Sequence, residues 1–230
     1  MARTFETLAR IPLFQAMPEG DIRKLDTQCV WRRARTGECL LDYGDSGADL
    51  YFVAAGKVRV RIQTVSGKEA ILRDIGDGEF FGELAAIDGL PRSASIVAVT
   101  DATIAKMPPG VFREIVHRRA EVCDAILALL ASQVRMLANR VNEFSALDVR
   151  GRIRAELLRL ARPERSGAAG TVISPPPTHS ELAARVSCRR EAVTRELNAL
   201  ARAGAIERKK GGIVLTDPAS LAESVERMKM

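Results

Sequence analysis

The chain has 230 residues, 47% of them hydrophobic and 28% charged, with a formal net charge of +6. That balance excludes a disordered chain, which has too little apolar material to offset its conformational entropy, and the length suits two domains. Apolar runs such as "DAILALLASQV" fall short of the roughly 20 residues that cross a bilayer, and "MARTFETLARIPLF" lacks a signal-peptide core, so a cytoplasmic location and no membrane partner are expected.

The charge is unevenly placed. Residues 1–150 carry 20 Lys/Arg and 20 Asp/Glu, whereas residues 151–230 carry 15 and 9, so only the C-terminal part is polyanion-seeking. Cys29, Cys39, Cys123 and Cys188 are scattered without a CxxC pair, and His117 and His179 have no partner of ligand spacing. Reduced thiols and no metal site are expected.

In chain order, nine of the 17 glycines lie between Gly37 and Gly89, among short runs such as "LYFVAAG", "KVRVRIQT" and "AILRDIG". Val58, Val60 and Ile62 alternate with Arg59, Arg61 and Gln63 as in a half-buried strand, and "VSGKE" supplies a hairpin turn. Many short strands with glycine punctuation predict a jelly roll or barrel. A further strand pair, "ASIVAVT" and "ATIAKMP", closes the series at Pro108 and Pro109. Within it, "FFGELAAIDGLPRSASIVA" holds Glu83 nine positions ahead of Arg92, with Gly82 before the one and Ser93 after the other, among too many turn formers for a long helix. One reading of Glu83 and Arg92 is a buried structural ion pair.

No proline interrupts residues 110–162 and no glycine residues 111–150, which permits a long helix. Ile126 or Leu127, Leu130, Val134, Leu137, Val141 and Phe144 form an apolar stripe at spacings of three and four. Such a stripe serves either packing on the helix's own domain or a dimeric coiled-coil seam. "ALDVRGRIRAELLRLARPERSGAAG" then reads as a hinge, a helix from about Val149 to Ala161, and a loop. The expected division is 1–110, 111–147 and 148–230.

"THSELAARVSCRREAVTRELNALARAGAIERKKGGIVLT" splits into a short helix capped by Thr178 or Ser180, a turn near residues 186–188, a helix from about Arg189 to Ala203, and a two-stranded wing around Gly211–Gly212. In a helix-turn-helix the first residues of the second helix enter the major groove. Here they are Arg189, Arg190, Glu191 and Arg195. Arginine bridges O6 and N7 of guanine and glutamate accepts from the cytosine amine. The bland alternative is a solvated helix face with a local Glu191–Arg195 pair.

"RREAVTRELNALARAGAI" resembles the recognition helix of the CRP/FNR family of bacterial transcription regulators, in its catabolite activator branch. "LDVRGRI" resembles that family's hinge, and "GKEAILRDIGDGEFFGELAAIDGLPRSAS" its cyclic-nucleotide-binding β-roll, so the resemblance covers nearly the whole chain. It implies an α+β fold: an N-terminal jelly roll, a long dimerisation helix and a C-terminal winged helix-turn-helix. It also implies a homodimer on double-stranded DNA with palindromic TGTGA-like half-sites, contacting RNA polymerase as a further partner; the sequence shows no nucleophile–base pair or metal cluster, so no enzymatic activity is expected. Arg190, Glu191 and Arg195 would contact base pairs and Thr178 and Ser180 phosphates, with Arg189 and Lys209 of the wing on the same interface.

The cassette then has a ligand chemistry, with cyclic AMP first and cyclic GMP second. Arg92 would meet the phosphodiester, Glu83 the ribose hydroxyl, and Gly82, Leu84 and Ser93 complete the sugar-phosphate site. The family reads adenine through a threonine-serine pair on the long helix. At those positions this chain has Leu137 and Ala138, with Asn139 and Arg135 as possible substitutes. One cysteine in the first 30 residues argues against an iron-sulfur cluster, and the isolated histidines against haem. Other readings are an effector-independent regulator and a nucleotide-binding module that acts on a protein partner.

Overall fold

Glycine and proline punctuation divides the first half of the chain into short strands, and a computed structural model arranges them as two antiparallel sheets. It describes residues 7–63, 69–163 and 171–229. Most of the turn expected at "VSGKE" (65–69) and most of the loop "PERSGAAG" (163–170) lie outside the described residues. Contacts divide the chain into two units, Met1–Gln133 and Val134–Met230.

The first unit begins with short 3₁₀ turns at Leu8–Arg10 and Pro12–Phe14, then α1 (Glu19–Gln28), β1 (Val30–Ala34), β2 (Cys39–Leu41) and β3 (Leu50–Ala55). Next come β4 (Val58–Gln63), β5 (Glu69–Ile75), β6 (Phe80–Phe81), the one-turn-and-a-half α2 (Glu83–Asp88), β7 (Ser95–Ala98) and β8 (Ala102–Met107). The sheets run β1-β8-β3-β6 and β2-β7-β4-β5. Between them Val53, Phe81 and Ile104 of one sheet meet Val58, Ile75 and Ile96 of the other. This is the predicted jelly roll. Register puts Arg59 opposite Asp74, where the guanidinium closes on the carboxylate at 2.7 Å. The strands "ASIVAVT" and "ATIAKMP" do not pair with each other: β7 lies between β2 and β4, and β8 between β1 and β3. Adjacency in sequence misleads here because a roll carries the chain from one sheet to the other.

The outer face of the β1-β8-β3-β6 sheet buries Phe52, Phe80 and Met107 under Phe14, Ile22 and Leu25 and under the next two helices, α3 (Pro109–Arg118) and α4 (Ala120–Ala146). The proline-free stretch is therefore two helices. Arg119 between them is extended (φ −125°, ψ 101°) and ion-paired with Asp21, and the break lets Phe112 and Ile115 of α3 and Val122 and Ile126 of α4 enter the same core. Ile126 is thus a core residue. Leu130 of the stripe is half-buried against the same core, whereas Leu127, Val134, Leu137, Val141 and Phe144 are each at least 40% exposed, so the start of the stripe packs on the helix's own domain and the rest does not.

The second unit holds residues 134–146 of α4, α5 (Val149–Leu160), β9 (Arg162–Pro163), β10 (Thr171–Ile173), α6 (His179–Arg185), α7 (Arg190–Arg202), β11 (Ile206–Lys209), β12 (Gly212–Leu215) and α8 (Pro218–Arg227). Asp148 caps α5 by accepting from the Gly151 amide at 2.8 Å, which fixes the expected hinge and helix start. Ile153 and Leu157 of α5, Leu182 of α6, and Val193, Leu197 and Leu200 of α7 form the core against the β11-β12-β10-β9 sheet. The whole is α+β: a β-roll, a long helix and a winged helix-turn-helix. Among the described residues no helix is long and apolar enough to cross a membrane.

Candidate ligand pocket and nucleic-acid interface

The candidate ligand site is built on the turn from β6 into α2. Gly82 caps α2 in the left-handed region (φ 83°), where an L side chain is disfavoured. A Cβ there would also lie 2.7 Å from Arg92 Nη1 and 3.0 Å from the Asp49 carbonyl, so only glycine lets the main chain approach the guanidinium. Arg92 is 3% exposed. Its Nη1 donates to the Gly82 carbonyl at 3.1 Å and its Nη2 to the Asp49 carbonyl at 2.8 Å, while Nε is buried with no partner. The guanidinium carbon lies 5.6 Å from the centroid of Tyr51, whose ring stacks on Phe81. Arg92's own main chain is pinned to the 42–49 loop, its N–H donating to Asp45 and its carbonyl accepting from Gly44, both at 2.9 Å.

Glu83 is 6% exposed and pairs with an amide: Gln133 Nε2 of α4 donates to its Oε1 at 3.3 Å. Among the described residues Arg92 has no carboxylate partner, so the reading of Glu83 and Arg92 as a structural ion pair falls. A buried cation satisfied only by carbonyl dipoles is costly alone, and an anion beside it removes the cost. Ser93 and Leu84 are exposed at the same turn. Behind it the Ser95 hydroxyl bonds Asp42 at 2.5 Å and accepts from the Tyr43 amide at 3.0 Å. That hydrogen bond, with the Tyr43 amide, holds the Asp42 carboxyl below its usual range.

Three contributors escaped sequence reasoning. The Asp49 carbonyl left no side-chain signal, and Tyr51 read as a strand residue. Gln133 was legible only as a polar residue off the apolar stripe. Leu137, Ala138 and Asn139 belong to the second unit and are exposed, and the first two carry no side-chain hydrogen-bonding group.

In the second unit Thr178 closes a capping box on α6: its hydroxyl accepts from the Glu181 amide at 3.2 Å and its own amide donates to Glu181 at 2.7 Å. Ser180 beside it is exposed. The helix-turn-helix turn passes through Ser187, a non-glycine residue at φ 50°. Arg189 precedes α7 without capping it, and Arg189, Arg190, Glu191 and Arg195 are all exposed. Among the described residues Glu191 and Arg195 form no ion pair, so the reading reserved for a self-satisfied helix face is not met. Lys209 makes an exposed 3.3 Å pair with Glu207, a contact worth little. Arg208 donates to Asn198 Oδ1 at 2.9 Å, joining wing to helix.

The comparisons agree with this geometry at both ends. Residues 31–119 match the family "Cyclic nucleotide-binding domain" and residues 151–224 the "Crp-like helix-turn-helix domain". The chain is 32% identical to the "Cyclic AMP receptor protein" of Thermus thermophilus over 212 residues, covering 92% of this chain and 95% of that one. It is 28% identical to the "CRP-like cAMP-activated global transcriptional regulator" of Mycobacterium tuberculosis, covering 94% and 97%. A solved structure of the Thermus thermophilus catabolite activator protein matches with a TM-score of 0.53 at 30% identity, over 94% of this chain and 99% of that one. The chain therefore belongs to the CRP/FNR family, as a DNA-binding transcription regulator with an N-terminal cyclic-nucleotide-binding domain.

Proposed function

We propose that the protein is a homodimeric regulator, working in the cytoplasm, that reads a palindromic TGTGA-like operator when cyclic AMP occupies the β-roll. The observation that carries the ligand is Arg92: a guanidinium 3% exposed, held by two carbonyls, with one orphaned N–H and no carboxylate partner among the described residues. Gly82 admits the main chain, Glu83 accepts from the ribose hydroxyl, and Ser93 and the amide of Leu84 complete the phosphate site. The two named relatives are, by their names, a cyclic AMP receptor and a cAMP-activated regulator. Cyclic GMP is the second candidate, because Leu137 and Ala138 offer the purine no hydroxyl and leave Asn139 as the nearest polar group in sequence.

The exposed residues Leu127, Val134, Leu137, Val141 and Phe144 support a seam with a second copy, in the manner of a coiled coil. Arg189, Arg190, Glu191 and Arg195 face solvent and are free to meet base edges, with Thr178, Ser180 and Lys209 on phosphates. The domain division that goes with this reading is β-roll 1–110, dimer helix and hinge 111–147, and reader 148–230, with RNA polymerase as the partner at the promoter.

Calorimetric titration of wild type and Arg92→Ala with cyclic AMP and cyclic GMP tests the pocket. Wild type should bind one nucleotide per protomer, and Arg92→Ala should weaken binding by about 100-fold or more, the scale of losing one member of a buried charged pair. Undiminished affinity in the variant would overturn the assignment.

A further inference from the structure

His179 lies in the first turn of α6 between Thr178 and Ser180, and its ring is half-buried against α7. Its Nδ1 is 2.8 Å from Thr194 Oγ1. The Thr194 hydroxyl has one proton, and it already donates to the Arg190 carbonyl at 3.1 Å. With that proton on the carbonyl, the hydroxyl accepts from the ring, Nδ1 carries the hydrogen, and Nε2 of the neutral ring is a bare lone pair.

Charged groups press on the ring from two elements, Arg208 of β11 and Arg190 of α7. On its own helix Glu181 turns its carboxylate to the Thr178 amide. Burial, then the two arginines, hold the His179 pKa below its ordinary value, so the free protein keeps this ring neutral at neutral pH. The same surroundings invert when a polyanion arrives. Phosphates flank a reading helix in the major groove, and the two arginines that act on His179 belong to α7 and to the wing.

We propose that His179 is a DNA-phosphate contact that gains a proton when the operator binds: Nε2 takes a proton from solvent and donates it as a charge-assisted hydrogen bond to a phosphate oxygen, with Nδ1–H retained by Thr194. Operator affinity then depends on pH through one histidine per protomer. This rests on the DNA-reading assignment of α6 and α7 and adds a residue and a proton to it.

The chain has two histidines, which makes the test clean. Fluorescence anisotropy of full-length protein on a palindromic duplex, at saturating cyclic AMP and constant ionic strength, is followed from pH 8 to 5.5. Affinity should rise as pH falls, with a limiting slope of about tenfold per pH unit per protomer, because the complex holds more protons than the free protein. His179→Gln should remove the slope, and His117→Gln should keep it. In wild type, the His179 ring resonances should titrate at higher pH in the complex than in the free protein, a readout that needs no variant. A flat profile with duplex bound, a slope that survives in His179→Gln, or an unchanged ring titration would overturn the proposal and leave the DNA reading standing. No binding to the duplex at any pH would remove both.

Discussion

Arg92 and Gly82 must be considered together, because each makes the other's position possible. The guanidinium reaches two carbonyls only because residue 82 has no Cβ, and the left-handed turn at residue 82 sets the start of α2 and the orientation of Glu83. Gly82→Ala should destabilise the first unit by about 1–2 kcal/mol from the backbone alone. It should also push Arg92 aside, so calorimetry should record a loss of nucleotide affinity beyond what thermal unfolding explains. Retained affinity would mean the close approach is dispensable. The residues to which the proposed function assigns side-chain chemistry, Glu83, Arg92 and the arginines of α7, were legible in the sequence. Residues that act through main chain or through a distant contact were not. Nothing in the type of residue 49 announces that its carbonyl holds an arginine, and nothing local links Gln133 to Glu83, fifty positions away.

At the scale of elements, the second unit is tied together by a buried charge cluster. Glu156 of α5 is 1% exposed and meets Arg140 of α4 at 3.4 Å, Arg185 of α6 at 3.6 Å, and Arg159 one turn along its own helix. Arg159 also grips Glu143 of α4 at 2.6 Å, and Arg140 donates to the Arg185 carbonyl at 2.9 Å. The last turns of the long helix are thereby fastened to α5 and α6. Removing the one carboxylate common to three arginines leaves buried charge uncompensated. Glu156→Gln should lower the unfolding free energy by about 3 kcal/mol in a urea titration followed by far-UV ellipticity, and an unchanged midpoint would show the cluster to be neutral. Sequence periodicity located α5, α7 and the wing to within a residue or two, since caps and glycines mark their ends. It gave neither the break at Arg119 nor this cluster, because both are set by what packs across space: a core shared by two helices, and charges brought together from three.

For the whole molecule, the division of charge along the chain follows the division into domains: a neutral N-terminal region with the cyclic-nucleotide-binding domain, and a basic C-terminal region with the helix-turn-helix. Leu127, Val134, Leu137, Val141 and Phe144 on α4 stay exposed along the described chain, and in the proposed dimer they would meet a second copy and set two recognition helices about one DNA turn (about 34 Å) apart. A ligand alters this arrangement only through differential affinity for the two states, typically 5- to 150-fold in binding at the other site. The most direct test measures operator affinity with and without nucleotide. Anisotropy titration of a fluorescent TGTGA-palindrome duplex at fixed salt should show about 10- to 100-fold tighter binding when cyclic AMP is saturating. Equal affinity in the presence and absence of both cyclic AMP and cyclic GMP would contradict the account.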